Sequence, residues 1–501
     1  MLKIFFDNLK KKDLFVITFL VIFIVLTRLI ILLDVNIFID GDEAIFGRMI
    51  KDFMNNGEMP LFFYGQNYGL VFFEVLTSAM VSLFFGANIF TMKVAMLMFW
   101  LGSMVVLYYA AKKILKSRIW AFLSIIIISS IPVWIDWSMK ARGGYLTSLL
   151  LSNVVIYLSF LEKTRLRIML ISLFLVIIYY AQPLWLVILV PFIAYYLLEK
   201  FKLNNIILFF SSGAAIYFLS KLLFTSLGFQ FQAQNKLGFQ VLKNTKNIYK
   251  NYLVGYSGAF FDSAALNINV YLKVISITFL ITLLVIIFYN IYLAILKKNK
   301  KINYILLSSV LLYVVFMLFY NEEEYAYRFL LPVFIPAALL IVVTLKQLIN
   351  VKYEKYLYSM LIIFAVTSSF IGIYAYKHVY PELNDGVVEI QRSEFLGNYL
   401  NDNDVQCVYT LDWIISQHLY YFMPDIISRY QGIDPRRLKE SIQVDILRNS
   451  DKCALVGLWY HFPLFYSQYS AKEIMIISSR YIVKINPSKE SLDHLGFELT
   501  D

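Results

Sequence analysis

Apolar residues in this chain come in long unbroken runs separated by short charged or glycine-containing segments. Runs near residues 14–33, 91–111, 119–135, 145–161, 166–180, 184–198, 206–225, 270–296, 304–320, 329–347 and 357–376 approach the roughly 20 residues a helix needs to cross the hydrocarbon core of a bilayer. The pattern predicts an all-α polytopic membrane domain over residues 1–376 with about eleven spanning helices. The first run follows Lys10, Lys11 and Lys12, is long enough to span and lacks a small-residue cleavage site, so it reads as a retained helix. A further run, 70–86, is short, contains Glu74 and ends at Gly86.

Charge decides how that last run is read. If 70–86 lies along the interface as a juxtamembrane or re-entrant helix, the basic segments 112–118, 163–167, 200–202, 297–301 and 346–355 all fall on the side of the N-terminal lysines. If it crossed, all five would invert, against the tendency of Lys and Arg to stay cytoplasmic. The N-terminus is therefore expected in the cytoplasm, with outer loops at 34–69, 136–144, the turn at Gln182 and Pro183, 226–269 and 321–328.

Beyond residue 377 the pattern becomes mixed. Strand-like pieces at 405–411, 454–459 and 481–485 alternate with helix-like pieces at 413–422 and 435–447, which predicts a small extracytoplasmic α/β domain over 377–501. Cys407 and Cys453, the two cysteines of the chain, both fall there, and either a disulfide or a pair of core thiols fits. No internal repeat is evident.

Composition agrees with a lipid-solvated chain: 60% of the 501 residues are hydrophobic and 16% charged, a balance that no soluble core of this size requires. The net charge of +11 does not point to nucleic acid, because the basic residues sit between apolar runs. Aromatic residues, at 17%, suit interfacial belts and sugar-stacking surfaces equally.

The candidate chemistry lies almost entirely in the outer loops. Asp40, Gly41, Asp42, Glu43 and Ala44 follow the first helix, and carboxylates at a membrane surface can take a proton from an acceptor hydroxyl, orient it or hold a divalent cation. The plainer account is that outer loops carry acids because Lys and Arg are kept inside. Tyr64, Gly65, Gln66, Asn67, Tyr68 and Gly69 combine aromatic faces, amides and glycines, a surface that can stack on a pyranose, although taken alone the plainer account is an interfacial aromatic anchor with a turn. The segment 134–145 places Asp136, Lys140 and Arg142 beside Gly143 and Gly144, and offers charge complementary to a phosphate or ordinary interfacial capping. Glu322, Glu323, Glu324, Tyr325, Tyr327 and Arg328 precede the next apolar run, and Arg328 is suited to clamp a phosphate. Arg28 and Lys221 lie within apolar runs near their outer ends, where a cation is costly and a functional candidate, yet able to snorkel. No metal-ligand cluster or nucleotide-phosphate loop stands out, and the four histidines, His378, His418, His461 and His494, all fall in the C-terminal domain.

The order of these parts resembles the GT-C superfamily of polytopic glycosyltransferases, which includes protein O-mannosyltransferases and lipid A aminoarabinose transferases. Asp42 with Glu43, residues 60–69, the run 70–86, Asp136 and the stretch 327–332 match, in order, an acidic motif after the first helix, a Pro- and Gly-rich aromatic segment, juxtamembrane helices, a second outer acid and a late aromatic-Arg-Leu-Pro segment. The resemblance spans roughly residues 14–376 and leaves the C-terminal domain unmatched. Where the aminoarabinose and mannosyl branches often carry Lys-Pro-Pro, this chain has residues 65–69 reading Gly-Gln-Asn-Tyr-Gly, closer to bacterial polysaccharide-modifying members, so the substrates of the better-known branches do not carry over.

The resemblance implies a polyprenyl-phosphate-linked sugar as donor and a glycan, lipid or protein as acceptor, with transfer by inverting displacement. Asp42, Glu43 and Asp136 become the catalytic candidates, with Asp42 as base. Arg328, Lys140, Arg142, Arg28 and Lys221 become donor-phosphate candidates, and Tyr64, Gln66, Asn67, Tyr68 and Tyr327 sugar or acceptor candidates. No nucleotide is needed and no cofactor is assigned, while a divalent cation is compatible with the acids. A transporter or lipid flippase is the competing reading, but it should place ionisable residues near mid-membrane, whereas here they gather toward one face. A sensor with a C-terminal receptor domain would leave the first acidic loop unused. The topology predicts that cysteines introduced at Asn55 and at Asn384 react with an impermeant thiol reagent in intact cells, and protection of either site contradicts it.

Overall fold

The computed structural model describes residues 11–34, 37–64, 69–199, 202–229, 270–320, 327–374, 376–377, 388–410, 413–422, 427–430, 452–458, 474–477, 481–485 and 487. In chain order its elements begin with α1 (Lys11–Leu32), β1 (Phe38–Ile39), α2 (Gly41–Asn56), α3 (Phe72–Phe85), α4 (Ile89–Leu115), α5 (Arg118–Ser130), α6 (Pro132–Trp137) and α7 (Tyr145–Ser159). They continue with α8 (Arg165–Ala181), α9 (Leu184–Leu198), α10 (Leu203–Ser226), α11 (Val270–Ile295), α12 (Lys301–Phe319), α13 (Leu331–Leu348) and α14 (Glu354–Tyr374). The C-terminal part holds β2 (Val388–Glu389), α15 (Ile390–Asp402), β3 (Cys407–Thr410), α16 (Trp413–Phe422), β4 (Ile427–Tyr430), β5 (Cys453–Leu458), β6 (Met475–Ile477) and β7 (Tyr481–Ile485).

Every apolar run read as a span coincides with helix. Among the described residues six helices, α1, α4, α10, α12, α13 and α14, are long and apolar enough to cross a membrane, and α3, α5, α7, α9 and the Leu280–Ile295 part of α11 are shorter apolar helices. The structure thus has the helices of an integral membrane protein, while the expected eleven crossings are not matched one for one by helices of full spanning length. The run 119–135 is interrupted because Pro132 has no N–H to continue the helix. Residue Ile131 adopts the extended conformation favoured before proline, and Pro132 opens α6 at its first position. Asp136, expected in a loop, consequently lies in the last turn of α6 and is buried.

The chain divides into two compact units, and neither is one continuous stretch. The first holds residues 1–32, 67–74 and 93–383. Its central helix is α13, buried from Leu331 through Thr344, whereas α10 has no buried residue; a helix apolar on every side is stable inside a bundle or against lipid. Buried and half-buried amides join neighbouring helices: Asn303 Nδ2 donates to Asn290 Oδ1 at 2.7 Å, Asn290 Nδ2 to Thr344 Oγ1 at 3.0 Å, and Gln347 Nε2 to Asn303 Oδ1 at 2.7 Å. At the start of α1 the buried Asp13 carboxylate accepts from Lys112 and Arg118, both at 2.8 Å, and ties that helix to α4 and α5.

The second unit holds residues 33–66, 75–92 and 384–501, so it takes in segments that the sequence reading assigned to the membrane domain. Its five-stranded sheet runs β4-β3-β5-β7-β6, parallel at β3/β4 and β3/β5 and antiparallel at β5/β7 and β6/β7. β3, β5, β7 and α16 fall on the predicted pieces, β4 and β6 are strands beyond those predicted, and the predicted helix at 435–447 lies outside the described residues. Leu396, Leu400, Val408, Ile415, Leu419 and Val456 fill the small core between sheet and helices. Cys407 and Cys453 face each other across β3 and β5 and form a disulfide. β1 pairs antiparallel with β2, and α2 packs on α16 where Gly47 leaves room for the Tyr421 ring. A Cβ at position 47 would lie 2.5 Å from Tyr421 Cε2.

Replacing both cysteines with alanine is expected to lower the stability of the second unit by about 2–5 kcal/mol. Limited proteolysis of the membrane-embedded protein, comparing cleavage between residues 384 and 501 in wild type and variant, measures this.

Candidate active site

In the second unit the first acidic segment is organised by the start of α2. Asp40 is the N-cap, its Oδ1 accepting from Glu43 N at 2.9 Å, while Glu43 Oε2 accepts from Asp40 N at 3.4 Å. This reciprocal capping box satisfies helix-end donors that would otherwise lack partners. It also turns the buried Glu43 carboxylate back toward the chain. Asp42, between them in the first turn, is only partly buried. Of the adjacent acids Asp42 is thus the more accessible to solvent, a distinction that the spacing alone left open.

Further along α2, Tyr64 donates to Asp52 Oδ2 at 3.1 Å, and Arg48 lies 3.5 Å from the same oxygen. Burial raises the Tyr64 phenol above its ordinary range, and the neighbouring Asp52 raises it further. Lys51 donates to the Tyr421 carbonyl at 2.8 Å and stands 4.0 Å from that ring's centroid, with its ammonium pKa lowered by burial. Gln66, Asn67 and Tyr68 lie outside the described residues.

In the first unit the candidate cations have separate fates. Arg28 is fully buried; its Nη2 donates to the carbonyls of Ser129 at 2.7 Å and Trp134 at 3.0 Å, and its Nε to Ser138 Oγ at 3.1 Å. Those carbonyls flank the α5–α6 interruption, so Arg28, expected among the phosphate cations, is committed to the backbone. Lys140 Nζ lies 3.1 Å from Asp136 Oδ2 in a buried ion pair, so two residues expected in different roles are partners. The Trp137 ring has Lys140 at 5.8 Å, Arg142 at 5.5 Å and the Tyr145 ring at 4.9 Å. Lys221 is exposed on α10, apart from this buried group. Tyr327 and Arg328 open the short 3₁₀ turn Tyr327–Leu330 ahead of α13, and their side chains lie outside the described residues.

With that geometry in place, two crystal structures of ArnT from Cupriavidus metallidurans provide the comparison, one bound to undecaprenyl phosphate and one in the apo state. Each matches 94% of this chain and 98% of its own, with a TM-score of 0.58 and identities of 11% and 12% respectively. The fold is similar to that of ArnT. This agrees with the resemblance read from the order of the parts, and the match extends over nearly the whole chain. No protein-family model matches the chain, and no curated protein matches it in sequence.

Glu74 is not among the candidate site residues expected from the sequence, where it bears only on whether 70–86 crosses the membrane. In the structure its carboxyl is fully buried and accepts from Gly144 N at 3.2 Å, Thr147 N at 2.9 Å and Thr147 Oγ1 at 3.0 Å. The available signal was an acid inside an apolar run, which is stable there only with specific partners. Among the described residues no three His, Cys, Asp or Glu side chains gather where a metal ion could sit.

The buried pair gives a direct expectation. Asp136→Asn leaves the Lys140 ammonium buried without its carboxylate and should destabilise the protein by about 3–5 kcal/mol. Thermal unfolding in detergent should show this loss, with much of it recovered in the Asp136→Asn, Lys140→Met double variant.

Proposed function

We propose that the protein is a membrane glycosyltransferase that takes a sugar from a polyprenyl-phosphate donor and passes it to an acceptor hydroxyl at the extracytoplasmic face. The observation that carries this reading is the fold likeness, over 94% of the chain, to a protein solved with undecaprenyl phosphate bound. Buried cations in the first unit and a partly accessible acid at the start of α2 are the functional groups such a transfer needs.

In this reaction the acceptor oxygen attacks the anomeric carbon. A new carbon–oxygen bond forms as the bond from that carbon to the phosphate oxygen breaks, and the bonding pair leaves with the lipid phosphate. A single displacement inverts the anomeric centre. Asp42 takes the proton of the acceptor hydroxyl. Lys140 and Arg142 bind the donor phosphate and stabilise the charge that grows on it. Arg328 has the sequence position and chemistry for the same task. Glu43 supports the first turn of α2 through its capping box and is a less suitable base.

The disulfide between Cys407 and Cys453 supports an oxidising compartment for the second unit, and hence a cytoplasmic N-terminus with the first acidic segment on the outer side. The acceptor is a glycan, lipid or protein of that side.

The test is transfer from a defined undecaprenyl-phosphate-linked sugar, chosen by mass spectrometry of surface glycans and lipid-linked sugars in cells with and without the protein. Asp42→Asn keeps size and polarity but removes the base, and should lower turnover about a hundredfold to ten-thousandfold while the protein remains folded. Near-normal turnover in Asp42→Asn with loss in Glu43→Gln would move the base by one residue. Activity in Asp42→Asn, Glu43→Gln and Asp136→Asn alike would refute the mechanism.

A further inference from the structure

Glu74 is a fully buried acid in the first turn of α3, and its three hydrogen-bond donors all belong to the start of α7. That helix begins at Gly144, whose φ of 80° is left-handed and which supplies no side-chain cap of its own. The first N–H groups of a helix need acceptors from elsewhere, and a carboxyl serves them well. Glu74 is therefore the cap of α7, delivered from about seventy residues away in sequence.

The surrounding backbone admits little adjustment. Gly69 N and Leu70 N both donate to the Tyr180 carbonyl at 3.1 Å, and Gln182 Nε2 donates to the Gly143 carbonyl at 3.0 Å. A Cβ on Gly144 would lie 2.8 Å from the Leu70 oxygen and 2.9 Å from Ala181 Cβ, and one on Gly69 would lie 3.1 Å from the Gly143 oxygen. Segments 69–70, 143–144 and 180–182 are thus locked together by bonds and by close approach. The turn leading into this lock carries Lys140 and Arg142, closed by the Tyr145 N–H to the Arg142 carbonyl at 3.1 Å.

We propose that Glu74 is a positioning residue for the donor phosphate: by capping α7 it fixes the turn that presents Lys140 and Arg142. This rests on assigning those two cations to the phosphate. It adds a residue whose action is indirect, through Gly144 and Thr147, and which touches no reacting atom.

The test measures binding of undecaprenyl phosphate to the full-length protein in detergent across a series of salt concentrations, with undecaprenol, which lacks the phosphate, as control. Glu74→Ala should weaken undecaprenyl phosphate binding by the folded fraction about tenfold to a hundredfold, as expected when binding groups shift by about an ångström. It should also flatten the salt dependence that cation–phosphate contacts produce, and leave undecaprenol binding unchanged. Glu74→Gln keeps one carbonyl oxygen for Thr147, so it should fall between wild type and Glu74→Ala. If Glu74→Ala does not fold, Glu74→Gln decides by the same criteria. A lower melting temperature with wild-type affinity and salt slope in the folded fraction overturns the proposal, as does equal weakening toward undecaprenol. Lys140→Ala and Arg142→Ala separate the two failures. Weakened binding in those variants with normal binding in the Glu74 variants refutes the positioning role alone, whereas normal binding in both cation variants refutes the phosphate assignment and the positioning role with it.

Discussion

The guanidinium of Arg28 holds together a place where the helical ladder is broken. Pro132 cannot donate the next hydrogen bond, so α5 stops at Ser130 and carbonyls around the gap lose helical partners. In an apolar interior an unsatisfied carbonyl is expensive, and water is not available to relieve it. Arg28 reaches this gap from α1 and donates to the Ser129 carbonyl, to the Trp134 carbonyl that also accepts from Ser138 N–H, and to Ser138 Oγ. Through Trp134 and Ser138 the same guanidinium contacts the short helix α6, with Asp136 in its last turn, and the residue that follows it.

The same rule of satisfaction governs several other buried polar groups of the first unit. Asp136 is neutralised by Lys140, the Glu74 carboxyl is occupied by the start of α7, and three amides with a threonine join α11, α12 and α13. The Glu74 and amide contacts cross between helices, whereas the Asp136–Lys140 pair spans four residues of one segment. Polar side chains therefore act as registration points in a bundle whose apolar contacts resemble contacts with lipid. The candidate phosphate cations inherit their placement from these points, because Lys140 and Arg142 stand between the Asp136 turn and the Glu74 cap.

The second unit is organised, in its C-terminal part, as a globular α/β fold. A small core beneath a five-stranded sheet, a capping box on α2 and a cross-strand disulfide stabilise it. The capping box also separates the roles of two adjacent acids, since Glu43 serves the helix end while Asp42 remains partly accessible.

The sequence by itself determined the membrane class, the apolar runs on which the described helices fall apart from the break at Pro132, the strands at β3, β5 and β7, and the resemblance to a glycosyltransferase fold. These follow from local signals: the length of an apolar run, the alternation of a strand, the order of charged loops along the chain. Only the tertiary structure decided what the charged residues do. Nothing in the spacing distinguishes Arg28 from Arg142, yet one is bound to backbone carbonyls and the other lies beside Trp137. Nothing in a lone Glu74 points to Gly144 and Thr147, because its partners lie about seventy positions away and are brought near by packing. A buried charge is defined by what surrounds it in space, and adjacency in space between distant segments is the property that a one-dimensional pattern does not contain.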